Sequence, residues 1–208
     1  MASATIAAGA FLFGSIPTGY LLVRFFRGED IRSVGSGNIG ATNVLRAGGK
    51  GLGAATFLAD ALKGSAAVWL GALAAAHFAP GLPVRDAQAL AALFAVLGHI
   101  FTPWLRFRGG KGVATGFGVF LVAAPWAALA SIAVFAAVLA LSRYVSLGSI
   151  VATACFPAFA WFLAPGEKPA FFLAVQAAVA LLIIVRHGKN IRRLASGTES
   201  RFGAKAKA

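Results

Sequence analysis

Long apolar runs divide the chain of 208 residues, and short polar segments rich in glycine separate several of them. The runs are dominated by Ala, Leu, Val and Phe and lack the short alternating segments of a membrane β-barrel. A transmembrane helix needs about 20 apolar residues, with a range of about 17–25. The pattern therefore predicts a bundle of membrane-spanning helices. The runs cover residues 4–26, 53–79, 87–104, 113–123, 125–141, 146–164 and 169–185.

Prolines predict breaks in two of these runs. The run at 113–123 is too short for an ordinary crossing, and Pro125 separates it from the next run, so 113–141 is either two short crossings or one interrupted segment. Pro17 is expected to kink the first run and to free backbone carbonyls that Ser15 or a neighbouring helix must satisfy. No basic stretch precedes this run, so we expect a retained span and not a cleaved signal peptide.

The distribution of charge decides between the topologies. Only 12% of residues are charged and 59% are hydrophobic, whereas a soluble domain carries about 25% charged residues. With the N-terminus outside and seven crossings, 17 of the 19 Lys and Arg residues face the cytoplasm, and only Arg85 and Lys168 face outside. Six crossings place the basic C-terminal tail outside, against this bias. We therefore predict an all-α integral membrane protein with one domain, residues 1–208, and seven spans. Its fourth span is short, its N-terminus is outside and its C-terminus is cytoplasmic.

The first polar block, residues 35–51, places glycines and small polar residues before an arginine. Its G-x-G-x-x-G spacing is not a dinucleotide fingerprint, because no predicted strand precedes it and no βαβ unit follows. Glycines nevertheless let backbone N–H groups approach an anion, and the planar Arg46 guanidinium can bind a phosphate with two hydrogen bonds. The alternative is a capped turn leading into a short interfacial helix. The candidate anion-binding residues here are Ser36, Gly37, Asn38, Thr42, Asn43 and Arg46.

The second block, residues 99–115, is a glycine-rich loop that leads into a predicted helix. It is not a Walker A motif, because glycine and not Ser or Thr follows the lysine. The free N–H groups and dipole of a helix N-terminus still favour an anion, and Lys111 supplies a countercharge. The alternative is a basic loop that only sets membrane orientation. His99 is interpreted as a polar helix-end residue, with contact to a ligand as the alternative. The candidate binding residues are Gly109, Gly110, Lys111, Gly112 and Thr115.

The third block, residues 187–199, combines basic residues with a histidine and an asparagine. In a helix His187 and Asn190 share one face, and Arg193 lies one turn further along. Glu199 is expected to pair with one of the arginines. A basic juxtamembrane tail that binds anionic lipid is the alternative, but it explains the charge and not the His and Asn.

Outside the blocks, few residues offer chemistry. Asp60 and Lys63 lie one helical turn apart and are interpreted as a structural ion pair at the membrane interface. The single cysteine, Cys155, lies in an apolar run, so no disulfide or CxxC site is expected. The sequence lacks an Asp-rich metal cluster and a Ser-His-acid order, so we expect no metal, no cofactor and no covalent nucleophile.

Together the blocks resemble the bacterial acyl-phosphate:glycerol-3-phosphate acyltransferases, the PlsY family, over essentially the whole chain. One departure is Thr102-Pro103, where the family often has the proline one place earlier. The most specific segments are Gly-Ser-Ile-Pro at 14–17, Gly-Ser-Gly-Asn-Ile-Gly-Ala-Thr-Asn-Val-Leu-Arg at 35–46, Gly-His-Ile-Phe at 98–101, Phe-Arg-Gly-Gly-Lys-Gly-Val-Ala-Thr at 107–115, His-x-x-Asn-Ile-x-Arg-Leu at 187–194 and Gly-Thr-Glu at 197–199.

The resemblance implies transfer of a fatty acyl group from acyl phosphate to the 1-hydroxyl of glycerol 3-phosphate. The products are lysophosphatidic acid and phosphate, in the first acylation step of phospholipid synthesis. It further implies a multi-pass protein of the bacterial cytoplasmic (inner) membrane, in contact with membrane lipid and without nucleic acid. We expect a monomer, with a contact to the soluble enzyme that supplies acyl phosphate. The alternative is an organophosphate or anion transporter, which the absence of an internal repeat disfavours.

Residue chemistry and resemblance together assign the site. Because acyl phosphate is already activated, the glycerol hydroxyl is expected to attack it directly, with His187 or the acyl phosphate itself as proton acceptor. Catalytic roles are predicted for Ser36, Arg46, Lys111, His187 and Asn190. Substrate binding is predicted for Gly37, Asn38, Thr42, Asn43, Gly109, Gly110, Gly112, Thr115 and Arg193. Structural roles are predicted for Ser15, Asp60, Lys63 and Glu199.

Overall fold

Helices make up all the regular structure in the computed structural model, which describes residues 1–163 and 169–203. The predicted all-α class is confirmed for these residues. Three of the basic residues in the charge count, Lys168, Lys205 and Lys207, lie outside the described part. The helices are α1 (Ala2–Gly14), α2 (Thr18–Arg27), α3 (Ala41–Gly48), α4 (Lys50–Phe78), α5 (Val84–Ile100), α6 (Val113–Ala123), α7 (Pro125–Ser142), α8 (Val145–Leu163), α9 (Ala170–Arg186) and α10 (Gly188–Ala195), with 3₁₀ turns at Ile31–Ser33 and Pro103–Leu105.

Five segments among the described residues are long and apolar enough to cross a membrane. A sixth arises if α9 and α10, which are bent by 55° at their junction, are counted as one span. Helix α6 has only 11 residues and begins and ends where the short fourth run was predicted. At 1.5 Å per residue it is about 16 Å long, roughly half the hydrocarbon thickness of a bilayer. One end of α6 therefore lies well inside the bundle.

The first membrane segment is broken at Pro17, as predicted. Helix α1 ends at Gly14 and α2 begins at Thr18, so the Ser15 and Ile16 carbonyls accept no regular helical hydrogen bond. The Thr102 hydroxyl donates to the Ser15 carbonyl (2.6 Å), and the Lys63 ammonium donates to the Ile16 carbonyl (2.7 Å). The break is therefore satisfied by α4 and by the segment after α5, which fixes all three against one another.

Helix α6 is held against α4 by glycines that leave no room for a side chain. A Cβ on Gly118 would lie 1.9 Å from the carbonyl oxygen of Ala61, and one on Gly64 would lie 2.5 Å from that of Thr115. The Ser65 hydroxyl donates to the Gly118 carbonyl across the same contact (2.8 Å). Close packing through small residues is the usual way in which membrane helices associate. It places the first turn of α6 beside the polar side chains of α4.

The segment after α10 folds back across the end of the bundle. The Phe202 N–H donates to the Arg143 carbonyl (2.6 Å), and the Arg143 guanidinium donates to the Phe202 carbonyl (3.1 Å). The Arg46 guanidinium donates to the Ser200 carbonyl (3.3 Å). This segment therefore ties α3 and the α7–α8 junction to α10.

Candidate active site

The three polar blocks meet at one cavity, whose empty space is about 830 Å³ when the part open to solvent is included. This confirms the expectation that they converge, although they are far apart in the chain. The first block contributes Ser36, Asn38, Thr42, Asn43 and Arg46; the second contributes Lys111 and Gly112; the third contributes His187, Asn190, Arg193 and Glu199. Gly37, Gly109, Gly110, Thr115 and Ser15 are not among the lining residues.

In the first block Asn43 organises the loop. Its amide nitrogen donates to the carbonyls of Ile31 (3.3 Å) and Val34 (3.0 Å), and its amide oxygen accepts from the Ser36 N–H (2.9 Å). Gly35 has a φ of +60°, and a Cβ there would lie 2.4 Å from that amide oxygen. The predicted substrate contact of Asn43 is therefore replaced by a positioning role, since its hydrogen-bonding groups are used within the protein.

In the second block the N–H groups of the two adjacent glycines form hydrogen bonds within the protein and do not face the cavity. The Gly109 N–H donates to the Ile100 carbonyl (3.0 Å) and the Gly110 N–H to the His99 carbonyl (3.1 Å). The prediction that these two amides bind a phosphate is therefore wrong: they fold the loop onto the end of α5. Thr115 is fully buried within α6 and does not line the cavity.

The anion-binding end of this block is the first turn of α6. Gly112 and the two residues that follow it, Val113 and Ala114, line the cavity. The first N–H groups of a helix have no partner within it, and the helix dipole favours an anion there. The first carbonyl of α6 to accept a helical bond is that of Gly112, from the Gly116 N–H (2.6 Å). Lys111 therefore stands next to a set of unused backbone donors.

Lys111 is partly removed from water, which affects its charge. Burial lowers the pKa of its amine to about 8, against the opposing attraction of the Glu199 carboxylate. Nearby guanidinium groups, those of Arg193, Arg46 and Arg186, lower it further. The pKa of a lysine falls when its charged form is desolvated or faces like charges, and both causes act here. The negative charge of a bound phosphate favours the charged form of Lys111 and so opposes both effects.

The imidazole of His187, just after α9, has a defined tautomer. Its Nδ1 lies 2.8 Å from the Ile183 carbonyl, which can only accept, so Nδ1 carries the proton. Nε2 is then an acceptor, and no described residue donates to it. Burial, together with the charge of Lys111, lowers the pKa of His187 to about 4, so the ring is neutral near pH 7. His187 thus offers the cavity a hydrogen-bond acceptor.

Glu199 joins α10 to α8, in agreement with its predicted pairing. One carboxylate oxygen accepts from the Ser146 hydroxyl (2.8 Å) and from the Asn190 amide (2.8 Å), and the other accepts from the Arg193 guanidinium (2.6 Å). These bonds orient Asn190 and Arg193 on one face of α10, as the spacing predicted. They also compensate the Glu199 charge.

Asp60 and Lys63 form the predicted ion pair, with 2.7 Å between the ammonium and the carboxylate, and the pair is buried within the bundle. The side chains are only 2% and 5% exposed, and His99 completes the group, with its Nδ1 3.0 Å from the Lys63 ammonium. Asp60 and His99 both line the cavity. The pair is buried because α6 and the broken first helix cover this part of α4. Ser15 is buried nearby, where its hydroxyl accepts from the Trp104 indole (2.9 Å).

Two cations of the cavity have no carboxylate partner within the described residues. Asp60 pairs with Lys63 and Glu199 pairs with Arg193, which leaves the charges of Arg46 and Lys111 uncompensated. Arg46 donates only to a backbone carbonyl. Two such cations attract anions, and each of them can bind one phosphate group.

A second, apolar cavity of about 640 Å³ adjoins the polar one. The two share Phe57, Val113, Phe135 and Ser149 as lining residues, so they lie side by side. Sequence reasoning missed these four residues and Ser146, which also lines the polar cavity. The spacing of Ser146 and Ser149, one turn apart at the start of an apolar run, was the only signal for either.

Comparisons with known proteins agree with this geometry. The family model described as glycerol-3-phosphate acyltransferase matches residues 4–197. A glycerol-3-phosphate acyltransferase of Geobacter sulfurreducens is 47% identical over 199 residues, 96% of this chain and 97% of the relative. One from Rhodopseudomonas palustris is 49% identical over 195 residues, 94% and 93% of the two chains.

Solved structures give the same result. A crystal structure of PlsY, an integral membrane glycerol 3-phosphate acyltransferase, in its glycerol 3-phosphate form has a TM-score of 0.86 at 38% identity. Its lysophosphatidic acid form has a TM-score of 0.84 at 36% identity. Both comparisons cover 98% of this chain and 96% of the solved chain. The helical architecture described above is therefore that of an integral membrane protein.

Proposed function

Because this chain belongs to the glycerol-3-phosphate acyltransferase family, we propose that it transfers a fatty acyl group to the 1-hydroxyl of glycerol 3-phosphate. The products are lysophosphatidic acid and the phosphate of the donor, which we take to be acyl phosphate. One observation carries the proposal: a polar cavity in which two cations have no carboxylate partner among the described residues adjoins an apolar cavity. A phosphate joined to a long acyl chain fits that junction.

The shared residue Val113 indicates where each substrate binds. It is the first residue of α6 and lines both cavities, so a phosphate at the α6 N-terminus can keep its acyl chain in the apolar space. Lys111 and the first N–H groups of α6 then stabilise the leaving phosphate. Arg46 and Ser36 are left for the phosphate of glycerol 3-phosphate.

The proposed reaction is a direct attack of the glycerol hydroxyl on the acyl carbon. The C–O bond to glycerol forms and the bond between the acyl carbon and the phosphate oxygen breaks. Ser36 and Asn190, which line the same cavity, are the candidates to support the developing oxyanion. His187 presents an accepting Nε2 that can orient the hydroxyl. Since the pKa of His187 is about 4, the phosphate of the donor is the better proton acceptor.

The variant His187→Gln tests this division of roles. It is expected to lower kcat by about 10- to 100-fold, because orientation is weakened, without changing the shape of the pH–rate profile. The measurement is kcat and kcat/KM from pH 5 to 9 in purified protein. If His187 is the base, the loss is instead larger than about a thousand-fold throughout pH 5 to 9, because a pKa of about 4 leaves the wild-type ring unprotonated over this range.

The apolar cavity predicts how acyl-chain length is selected. Ala152 of α8 lines it, and the variant Ala152→Phe fills part of it. We expect kcat/KM for long-chain acyl phosphate to fall at least about 10-fold, while short-chain donors are spared, because a chain that cannot be buried loses about 0.8 kcal/mol per CH₂. The matched control is Ala154→Phe, on the exposed side of the same helix. Equal losses for all chain lengths contradict the assignment of this cavity.

Orientation and assembly complete the proposal. The five long apolar segments, with α9 and the short α6, are consistent with seven crossings. The cations of the cavity and those of α10 lie at one end of the bundle, and the positive-inside rule places that end in the cytoplasm. The N-terminus is then outside, in a bacterial inner membrane. We propose a monomer, with a soluble donor-producing enzyme docking at the cytoplasmic end.

One assay tests the activity as a whole. Purified protein in lipid is given acyl phosphate and labelled glycerol 3-phosphate without coenzyme A, and labelled lysophosphatidic acid is measured by chromatography. We expect product together with one equivalent of inorganic phosphate. No product with intact substrates refutes the proposal, and movement of label across sealed vesicles without acylation indicates an organophosphate transporter.

A further inference from the structure

The ammonium of Lys63 uses all of its donors inside the protein. It donates to the Asp60 carboxylate (2.7 Å), to the Ile16 carbonyl (2.7 Å) and to Nδ1 of His99 (3.0 Å). An ammonium group has three N–H donors and no acceptor, so these contacts saturate it. The charges of Asp60 and Lys63 compensate each other, as buried charges must.

Because Lys63 can only donate, its contact with His99 determines which ring nitrogen of His99 carries the proton. Because the Lys63 ammonium can only donate, Nδ1 of His99 must present a lone pair, and in a neutral imidazole the proton is then on Nε2. The other contact of Nδ1, to Asp60, is longer at 3.4 Å. That Asp60 oxygen already accepts from Lys63 and from the Thr18 hydroxyl. A proton on Nδ1 would therefore prevent the shorter hydrogen bond from Lys63.

The resulting Nε2–H has no acceptor among the described residues, although the side chain of His99 is only 4% exposed. His99 lines the polar cavity. Its Nε2 packs against the backbone of Gly110, where a Cβ would lie 2.0 Å away, so a larger residue at position 110 would collide with this atom. A donor that has no partner in the protein and faces a cavity is available to a bound acceptor, and the hydrogen bond between them is favourable.

We propose that His99 is a substrate-contacting residue: held neutral by Lys63, it donates its Nε2–H to an oxygen of the phosphate bound at the start of α6. This inference rests on the proposed function. It gives the two histidines of the cavity opposite roles, since His187 presents an acceptor and His99 a donor. Asp60 and Lys63 act as positioning residues, because they reach the phosphate only through the His99 ring.

Imidazole nitrogen NMR tests the tautomer and the contact directly. The chain has only three histidines, so selective ¹⁵N-histidine labelling gives three assignable rings, and His99→Gln identifies the signals of residue 99. We expect Nε2 of His99 to be protonated and Nδ1 to be unprotonated. A non-reactive acyl phosphonate, at concentrations that abolish turnover, is expected to shift the Nε2 resonance. A doubly protonated ring, the opposite tautomer or an unshifted Nε2 in the inhibited protein overturns the proposal.

Kinetics distinguish substrate contact from a purely structural role. The variant His99→Gln retains an N–H donor near the position of Nε2, whereas His99→Leu has none. We expect His99→Leu to lower kcat/KM by about 100-fold and His99→Gln by about 10-fold or less, at comparable Tm. The matched control is His77→Gln, an exposed residue far along α4. Equal losses in both His99 variants overturn the proposal. Failure of the wild-type acylation assay, or of the phosphonate to inhibit it, refutes the proposed function instead.

Discussion

Replacing Lys111 with methionine is expected to lower kcat/KM for acyl phosphate by about a thousand-fold. Lys111 is one of two cavity cations without a carboxylate partner in the described part of the chain, and it stands at the α6 N-terminus, where the leaving phosphate develops charge. Methionine keeps the length and the apolar stem of the side chain but removes the charge and the donors. The measurement is initial acylation rate against acyl phosphate concentration at saturating glycerol 3-phosphate. The control is Lys189→Met, an exposed lysine of α10 outside the cavity lining.

The titration of Lys111 adds a dependence on pH. The amine is charged below its pKa of about 8 and neutral above it, so wild-type kcat/KM is expected to fall as pH rises through about 8. The fall in kcat occurs at higher pH, because a bound phosphate favours the charged amine. In Lys111→Arg the guanidinium stays charged, so any remaining activity is expected not to fall near pH 8. An unchanged alkaline fall in that variant rules out Lys111 as its cause.

The variant Gly110→Ala is expected to lower kcat/KM by at least about 100-fold and to reduce the Tm. A Cβ at this position would lie 2.0 Å from Nε2 of His99, closer than any real contact, and the ring cannot move away without breaking its bond to Lys63. The loop must therefore shift, and with it Lys111 and the first turn of α6, which position the phosphate. Acylation rate and thermal unfolding in the same lipid provide the two measurements.

A glycine of the third block is the matched control for this substitution. A Cβ on Gly188, at the start of α10, would meet nothing within 4 Å, so Gly188→Ala is expected to keep wild-type activity and Tm. Equal losses in the two variants indicate a general sensitivity of the bundle and contradict the specific contact between Gly110 and His99. Wild-type activity in Gly110→Ala contradicts the placement of the loop itself.

Sequence patterns predicted the structure correctly where a residue affects its local backbone directly, as proline does. Pro17 and Pro125 predicted the break in the first membrane segment and the boundary between α6 and α7, because proline has no N–H to donate and therefore favours the start of a helix over its interior. The composition of the three blocks likewise predicted an anion site, and they do converge on one cavity. The interpretation of α10 as a helix with His187, Asn190 and Arg193 on the side of the site also holds.

Sequence reasoning failed where a residue's partners are distant in the chain. Asp60 and Lys63 satisfy the rule for an exposed ion pair one turn apart, but the covering helices and His99, 36 residues beyond Lys63, make them a buried group. The Gly109 and Gly110 amides looked free for a ligand because their acceptors, the carbonyls of Ile100 and His99, are identified only when the loop folds back. The hydrogen bonds that occupy Asn43 arise in the same way.

By itself the sequence determined the class of this protein and the chemistry available to it. Apolar runs of membrane length require helices, because backbone groups in lipid must bond within their own segment, and glycines beside cations attract phosphate. Only the tertiary structure decided which cations remain uncompensated, which amides remain free and where the acyl chain can lie. Those properties depend on contacts between distant segments, such as Glu199 with Ser146 or Lys63 with His99, and no local pattern encodes such a contact.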